Sequence, residues 1–157
     1  MSENTWQVSV MTTADLPTAH RIECQSPSPW THRQLAEELT YPESLQLACR
    51  SASGLELIGF LLGRLIPGEA EILKIATARE FHRQGAASRL LQAFLAAARQ
   101  RGVNRFYLEL RAQNAPARAL YEKHDFEMTG RRRNYYTAPQ DDALCMTLAF
   151  PQSESEF

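Results

Sequence analysis

The sequence predicts an α/β fold, a mixed layer of seven strands and four helices in the order β-α-α-β-β-β-α-β-α-β-β. Three observations predict it. Strict apolar–polar alternation recurs in short segments, most cleanly in RFYLELR, Arg105 to Arg111. Ala87, Leu90, Leu91, Phe94, Leu95 and Ala98 form the stripe of a helix lying on a sheet. Between a strand, Ala70 to Thr77, and that helix stands HRQGAASRLL, His82 to Leu91. Its small residues Gly85, Ala86 and Ala87 leave the unpaired amides of a helix start open to a close ligand, and Arg83 and Arg89 can add charge-assisted bonds. The stretch is an anion cradle for phosphate or pyrophosphate, or a helix start that binds water. It lacks the GK[ST] ending of a P-loop, and GxGxxG is absent.

The elements follow in order. Thr5 to Met11 alternates as a first strand with Trp6, Val8 and Val10 on one face. Thr13 or Asp15 caps the next helix, Pro17 falls in its first turn, and Leu16, Ala19, Ile22 and Glu23 follow helical spacing. Two prolines within Ser26 to Trp30 end it. Thr31 and Gln34 form a capping box for a second helix, Thr31 to Leu39. Pro29 and Trp30, just before that cap, staple the helix or wall a substrate. Leu45 to Arg50 and Leu55 to Ile66 are strands, the second carrying Gly59 and Gly63 as points of bulging or close approach. Pro67-Gly68 turns the chain into Ala70 to Thr77 as a hairpin. The helix Gly85 to Arg101 closes at Gly102. Arg105 to Arg111 puts Phe106, Leu108 and Leu110 on one face and Tyr107, Glu109 and Arg111 on the other. Ala115 to His124 is a short helix, and Phe126 to Thr137 with Asp141 to Phe150 form a final antiparallel pair. Residues 1–150 are expected to make one domain and 151–157 a frayed polar tail.

Composition narrows the partners. Apolar residues make up 44% and charged residues 22%, ordinary for a globular chain of 157 residues with a real core. The net charge of −1 argues against nucleic acid, whose phosphates require a concentrated basic face. Fifteen Arg stand against two Lys, a bias ascribed to genome composition. Cys24, Cys49 and Cys145 are odd in number and far apart, without metal spacing, so buried reduced thiols and no metal are expected. His20, His32, His82 and His124 are equally scattered. No run reaches membrane-span length and no signal-peptide pattern opens the chain, so a cytoplasmic protein without a membrane partner is expected.

The element order, the strand–cradle–helix unit and LELRAQNAPARALYEKHDF resemble the GCN5-related N-acetyltransferases (GNAT). SPWT near position 30, LEL-R-x-x-N, ALYE and RRNYY are similar to the bacterial ribosomal-protein-alanine N-acetyltransferases within that superfamily. The likeness spans Val8 to Phe150. It implies the acyl-CoA N-acyltransferase fold, a mostly antiparallel central sheet of about seven strands flanked by four helices, with acetyl-CoA as acetyl donor. The family cradle is [QR]-x-x-G-x-[GA]. Here its last position is Ala87, as the pattern allows, and its first is His82, a departure. By this resemblance the amides across Arg83, Gln84, Gly85, Ala86, Ala87 and Ser88 hold the pyrophosphate. Backbone groups of Ile75, Ala76 and Thr77 pair with the pantetheine arm like an added strand, and Asn114 and Tyr121 touch the cofactor. Asp125 stands where a Gly is usual, at a turn wanting positive φ, which Asp tolerates better than most residues.

Acetyl transfer to an amine needs a neutral nucleophile, a proton acceptor and a donor for the leaving thiolate. A peptide α-amine has a pKa of about 8, so freeing it at pH 7 costs about 1.4 kcal/mol, against about 4.6 kcal/mol for a lysine near 10.4. A carboxylate suffices for the first task. Glu109, on the polar face of its strand, is by resemblance that base; otherwise it is a strand carboxylate pairing with Arg111. Tyr121 is by resemblance the acid, because a phenol near 10 is protonated at pH 7 and can donate to a departing thiolate. Otherwise it is a core aromatic. Arg131-Arg132-Arg133 is the cationic edge of a sheet, and Tyr135 or Tyr136 could wall an acceptor peptide. The implied activity is acetylation of the N-terminal α-amine of a small-subunit ribosomal protein beginning with alanine. A small-molecule amine or a protein lysine as acceptor is the alternative, and a non-catalytic acyl-CoA-binding module the remoter one.

Overall fold

Strands β1 (Gln7–Val10), β2 (Ser44–Arg50), β3 (Leu57–Ile66), β4 (Glu69–Thr77), β5 (Arg105–Arg111), β6 (Glu127–Thr137) and β7 (Gln140–Ala149) make one sheet in the computed structural model, which describes residues 5–151. Their order is β1-β2-β3-β4-β5-β7-β6, and every neighbouring pair is antiparallel except β4 with β5. A parallel pair needs a long crossover, and helix α3 (Ala86–Gln100) supplies it. Helices α1 (Leu16–Glu23), α2 (His32–Glu38) and α4 (Ala115–Lys123) complete the set of four. The expected GNAT architecture is the one observed.

Each face of the sheet has its own core. Leu90, Leu91, Phe94 and Ala98 of α3 pack with Tyr121 of α4 on Ile72, Phe106 and Leu108. Leu16, Ala19 and Ile22 of α1 and Leu35 of α2 pack on Phe60 and Leu62. Phe106, Leu108 and Leu110 are buried, as the alternation required.

The feature that positions the site is a split between β4 and β5. Their pairing runs only from Glu69↔Arg105 to Ile72↔Leu108. Past that point β4 stays with β3 as far as Gly59↔Thr77, and β5 stays with β7 as far as Arg111↔Ala143. A β-bulge begins the divergence: Gly63 faces Ile72 while Leu62 faces Lys74, so Leu73 is extra and the strand bends. Gly63 is required there, since a Cβ would lie 2.4 Å from the Phe94 ring of α3. Gly59 is a close approach too, with 2.6 Å from a Cβ to the Ala76 carbonyl oxygen.

Several boundaries and faces differ from expectation. β3 begins at Leu57, because Leu55 is 92% exposed beyond a turn. β1 is shorter than Thr5 to Met11, and Val10, on this edge strand, is 59% exposed. Neither Thr13 nor Asp15 caps α1 with its side chain. Asp15 instead accepts from the Thr12 amide at 2.8 Å and from Nη1 and Nη2 of Arg50 at 2.6 Å each, closing a short 3-10 turn over Thr13–Asp15. A second 3-10 turn, Arg79–Phe81, was not visible in the periodicity. The Thr31–Gln34 capping box is present in both directions. Cys49 is buried, but Cys24 is exposed and Cys145 half-buried, so burial holds for one thiol of three. The tail over 152–157 lies outside the described residues. Among the described residues no helix is long and apolar enough to cross a membrane.

Candidate active site

The cradle is built from backbone conformation. Arg83 (φ 64) and Gly85 (φ 90) both adopt left-handed geometry, and Gly85 is the residue before α3 rather than its first turn. The first helical bond runs from Arg89 N–H to Gly85 O at 3.0 Å, so the amides of Ala86, Ala87 and Ser88 precede any helical acceptor. A Cβ built on Gly85 meets nothing within 4 Å, so the space before these amides is open. Alternating left-handed backbone with a helix start is an anion-binding concavity. The residues present therefore fit a pyrophosphate. Arg89 spends one donor elsewhere, its Nη1 donating at 3.0 Å to the carbonyl oxygen of Trp6, the residue before β1. Ser88 Oγ lies 3.2 Å from His124 Nε2, and burial pushes that imidazole below its ordinary value.

The open edge of β4 leads into the cradle. Ala78 N–H donates to Ile58 O at 2.9 Å. Alternation along a strand then commits Ala76 to β3 and turns the backbone groups of Ile75 and Thr77 toward the split. Two of the three residues expected to pair with the pantetheine arm thus face it, and Ala76 does not. His82, the departure from the family pattern, donates from Nε2 to Thr77 O at 3.0 Å. That carbonyl keeps a second lone pair. Asn114 caps α4, accepting from the Ala117 amide at 3.2 Å, which leaves its amide nitrogen for other partners. Asp125 has φ 70, the positive value its place demanded.

Glu109 lies on β5 just past the last β4–β5 pair, facing away from α3. Its carboxylate pairs with Arg132 Nε of β6 at 3.1 Å and accepts from Cys145 Sγ at 3.9 Å. The pairing with Arg111 expected of a merely structural carboxylate is not made. Tyr121 is buried against Phe126, ring centroids 5.6 Å apart, and burial pushes its phenol well above the ordinary value. Glu71 of β4 is a further carboxyl on this side. Burial pushes it up, Arg64 opposes that, and the charges of Glu109 and Glu38 add to it.

Pro29, Trp30, Tyr135 and Tyr136 are the residues expected to wall an acceptor. Pro29 is exposed, and Trp30 is half-buried in the α1–α2 core, sharing it with Leu35 as a helix staple does. The Trp30 amide donates to Glu23 Oε2 at 2.7 Å, and Lys74 Nζ both pairs with Glu23 and lies 5.6 Å from the Trp30 ring centroid. Tyr135 is 49% exposed and meets Tyr136 edge-on at 5.1 Å. The strand carrying them is the sheet edge, as the arginine run implied. Its register jumps between Arg132 and Tyr136, with Asn134 at φ 52. An arginine of the 131–133 run was expected to meet an acidic group, and Arg132 meets Glu109; Arg111, Glu71 and the Glu23–Lys74 pair near it were not singled out from the sequence. For Arg132 the signal was its place in the RRNYY run; for Arg111 it was its position beside Glu109 on the polar face. Among the described residues no three His, Cys, Asp or Glu cluster in a way that could hold a metal.

Comparisons with known proteins agree with this architecture. The family model described as Acetyltransferase (GNAT) family matches residues 16–126. The [ribosomal protein bS18]-alanine N-acetyltransferase of Escherichia coli K12 is 33% identical over 144 residues, covering 90% of this chain and 95% of that protein. The crystal structure of the ribosomal-protein-S18-alanine N-acetyltransferase from E. coli superposes with a TM-score of 0.86 at 30% identity, over 98% of this chain and 100% of that one. Arabidopsis thaliana NAA60, solved with acetyl-CoA, shares the fold with a TM-score of 0.83 at 17% identity over 93% and 99% of the two chains. A family model matched over residues 16–126 and a relative 33% identical across most of both chains make this chain a member of the GNAT acetyltransferase family.

Proposed function

We propose that this chain transfers the acetyl group of acetyl-CoA to the N-terminal α-amine of a protein, a small-subunit ribosomal protein beginning with alanine, in the cytoplasm. The observation that carries the reading is the likeness to the bS18-alanine N-acetyltransferase over 95% of that protein's length. The amides of Ala86, Ala87 and Ser88, with Arg83, Gln84 and Gly85 setting the loop, receive the pyrophosphate. Ile75 and Thr77 offer the strand edge for the pantetheine arm, and Asn114 lies beside it. Acetyl-CoA supplies the thioester.

The amine gives its proton to Glu109, its lone pair attacks the thioester carbon, and the carbon–sulfur bond breaks to leave CoA thiolate. Tyr121 meets the charge on sulfur. Its raised value keeps the phenol protonated, and it makes complete transfer to a thiolate whose thiol lies near 8.5 uphill. The hydroxyl therefore hydrogen-bonds the developing thiolate in the transition state; the second proton, shed by the nitrogen as the amide forms, neutralises the CoA thiolate, and Glu109 returns the first to solvent. Pro29, Trp30, Tyr135 and Tyr136 wall the acceptor.

A panel of amines tests the reading. Peptides with a free N-terminal alanine, the same peptides blocked and carrying a lysine, and small polyamines are each offered with acetyl-CoA. The free α-amine is expected to have the highest kcat/KM. Faster turnover of lysine or of a polyamine contradicts the proposal. Acetyl-CoA binding without turnover of any amine returns the chain to an acyl-CoA-binding module.

A further inference from the structure

Arg111 ends β5 two residues beyond Glu109 and on the same face. Its Nη1 donates to Pro139 O at 2.7 Å, and its Nη2 donates to Ser28 Oγ and to Ala138 O, the latter at 3.4 Å. Ser28 Oγ in turn donates to Ala138 O at 3.0 Å. The guanidinium lies 4.2 Å from the Tyr136 ring centroid. One side chain thus ties together the α1–α2 connection and the β6–β7 turn, two segments 110 positions apart in the sequence. Pro29 and Trp30 directly follow the first tie point, and Tyr135 and Tyr136 closely precede the second. The rigid guanidinium fork serves three acceptors at once, which a lysine ammonium cannot reproduce.

We propose that Arg111 is a specificity-determining positioning residue whose clasp between Ser28 and the Ala138–Pro139 turn closes the acceptor side to a chain passing through and admits a chain end. The proposal rests on the reading that the polar face of β5 receives the acceptor. Its physical basis is the number of exits each acceptor needs. A lysine inside a chain brings backbone on both sides of the reacting residue, whereas an N-terminal residue brings it on one. Walls fastened together beside Glu109 leave one exit. The clasp consists of hydrogen bonds to a charged group, so losing it weakens acceptor binding by about tenfold or more.

The test compares two lysine-bearing peptides under saturating acetyl-CoA. One has a free N-terminal alanine and its lysine methylated; the other has an acetyl-blocked N-terminus and one central unmodified lysine. Values of kcat/KM for both are measured in wild type, Arg111→Ala, Arg111→Lys and Ser28→Ala. Wild type is expected to favour the free α-amine. Arg111→Ala is expected to raise KM for that peptide about tenfold and to lower the ratio of the two specificity constants, with KM for acetyl-CoA unchanged. Arg111→Lys keeps the charge and loses the fork, so it is expected to share the lowered ratio; Ser28→Ala shifts it the same way by a smaller factor. Variants in which both peptides lose equally, so that the ratio stays at its wild-type value, overturn the proposal and make Arg111 a brace of the fold. Should Arg111→Ala not fold, Ser28→Ala decides alone, because it removes a single hydroxyl. A wild type that prefers the blocked lysine peptide overturns the N-terminal reading itself, and is seen before any variant is compared.

Discussion

Glu109 carries the proposed proton transfer and Tyr121 the hydrogen bond to the leaving sulfur, and the two differ in how pH should act on their loss. Glu109→Gln keeps the shape and cannot accept a proton, so kcat is expected to fall about 10²-fold or more. KM for acetyl-CoA should not move, since Glu109 has no part in the cradle. The defect should shrink above about pH 8, where a peptide α-amine deprotonates unaided; a defect flat with pH in the rate profile would make Glu109 a binding or structural group. Tyr121→Phe removes the hydroxyl and keeps the packing against Phe126. Its kcat defect should persist at pH 8, and full activity would return Tyr121 to the core. At this scale the sequence singles out Glu109 and Tyr121 but not their partners. Glu109 and Tyr121 stand within a contiguous motif, and Asp125 adopts the positive φ that its turn required. The pairing of Glu109 with Arg132 joins β5 to β6 across β7, a contact set by sheet order and not by local spacing.

Two elements with strong local signals formed where expected. β5 begins and ends at Arg105 and Arg111 because its alternation is unbroken, and α2 starts where the Thr31–Gln34 box requires. The split between β4 and β5 was not legible from local pattern, because a bulge is defined by the register of its partner strand. Gly63 marks it, and Gly63→Ala tests the reason. The added Cβ would lie 2.4 Å from the Phe94 ring, so overpacking of about 1–3 kcal/mol is expected, seen as a fall of several degrees in Tm. An unchanged Tm would mean that Phe94 moves freely. Gly85 marks the other end of the edge. Its side of the cradle is open, so Gly85→Val meets no neighbour within the chain, but it must hold φ near 90. KM for acetyl-CoA is expected to rise about tenfold or more with the fold retained. Unchanged cofactor affinity in a folded variant would place the pyrophosphate elsewhere.

Across the whole molecule, α1 is fastened to the sheet by charge as well as by its apolar stripe. The Arg50 guanidinium on β2 holds the Asp15 carboxyl below the usual carboxylate range. A lowered folded value contributes stability that is present above the ordinary pKa of about 3.9 and lost as pH falls through the lowered one. Asp15→Asn is therefore expected to lower Tm by roughly 5 °C at pH 7, with the gap to wild type closing below about pH 4. A gap that widens in acid would contradict this sign.

The central claim is that the cleft between β4 and β5 acetylates chain ends. Mass-spectrometric mapping of the acetyl group tests it most directly, on a full-length small-subunit ribosomal protein with N-terminal alanine, incubated with the enzyme and acetyl-CoA. Acetyl on the α-amine in the first turnovers, with the lysines unmodified and the signal lost in Glu109→Gln, is the expected result. Acetyl appearing first on lysine side chains would contradict it.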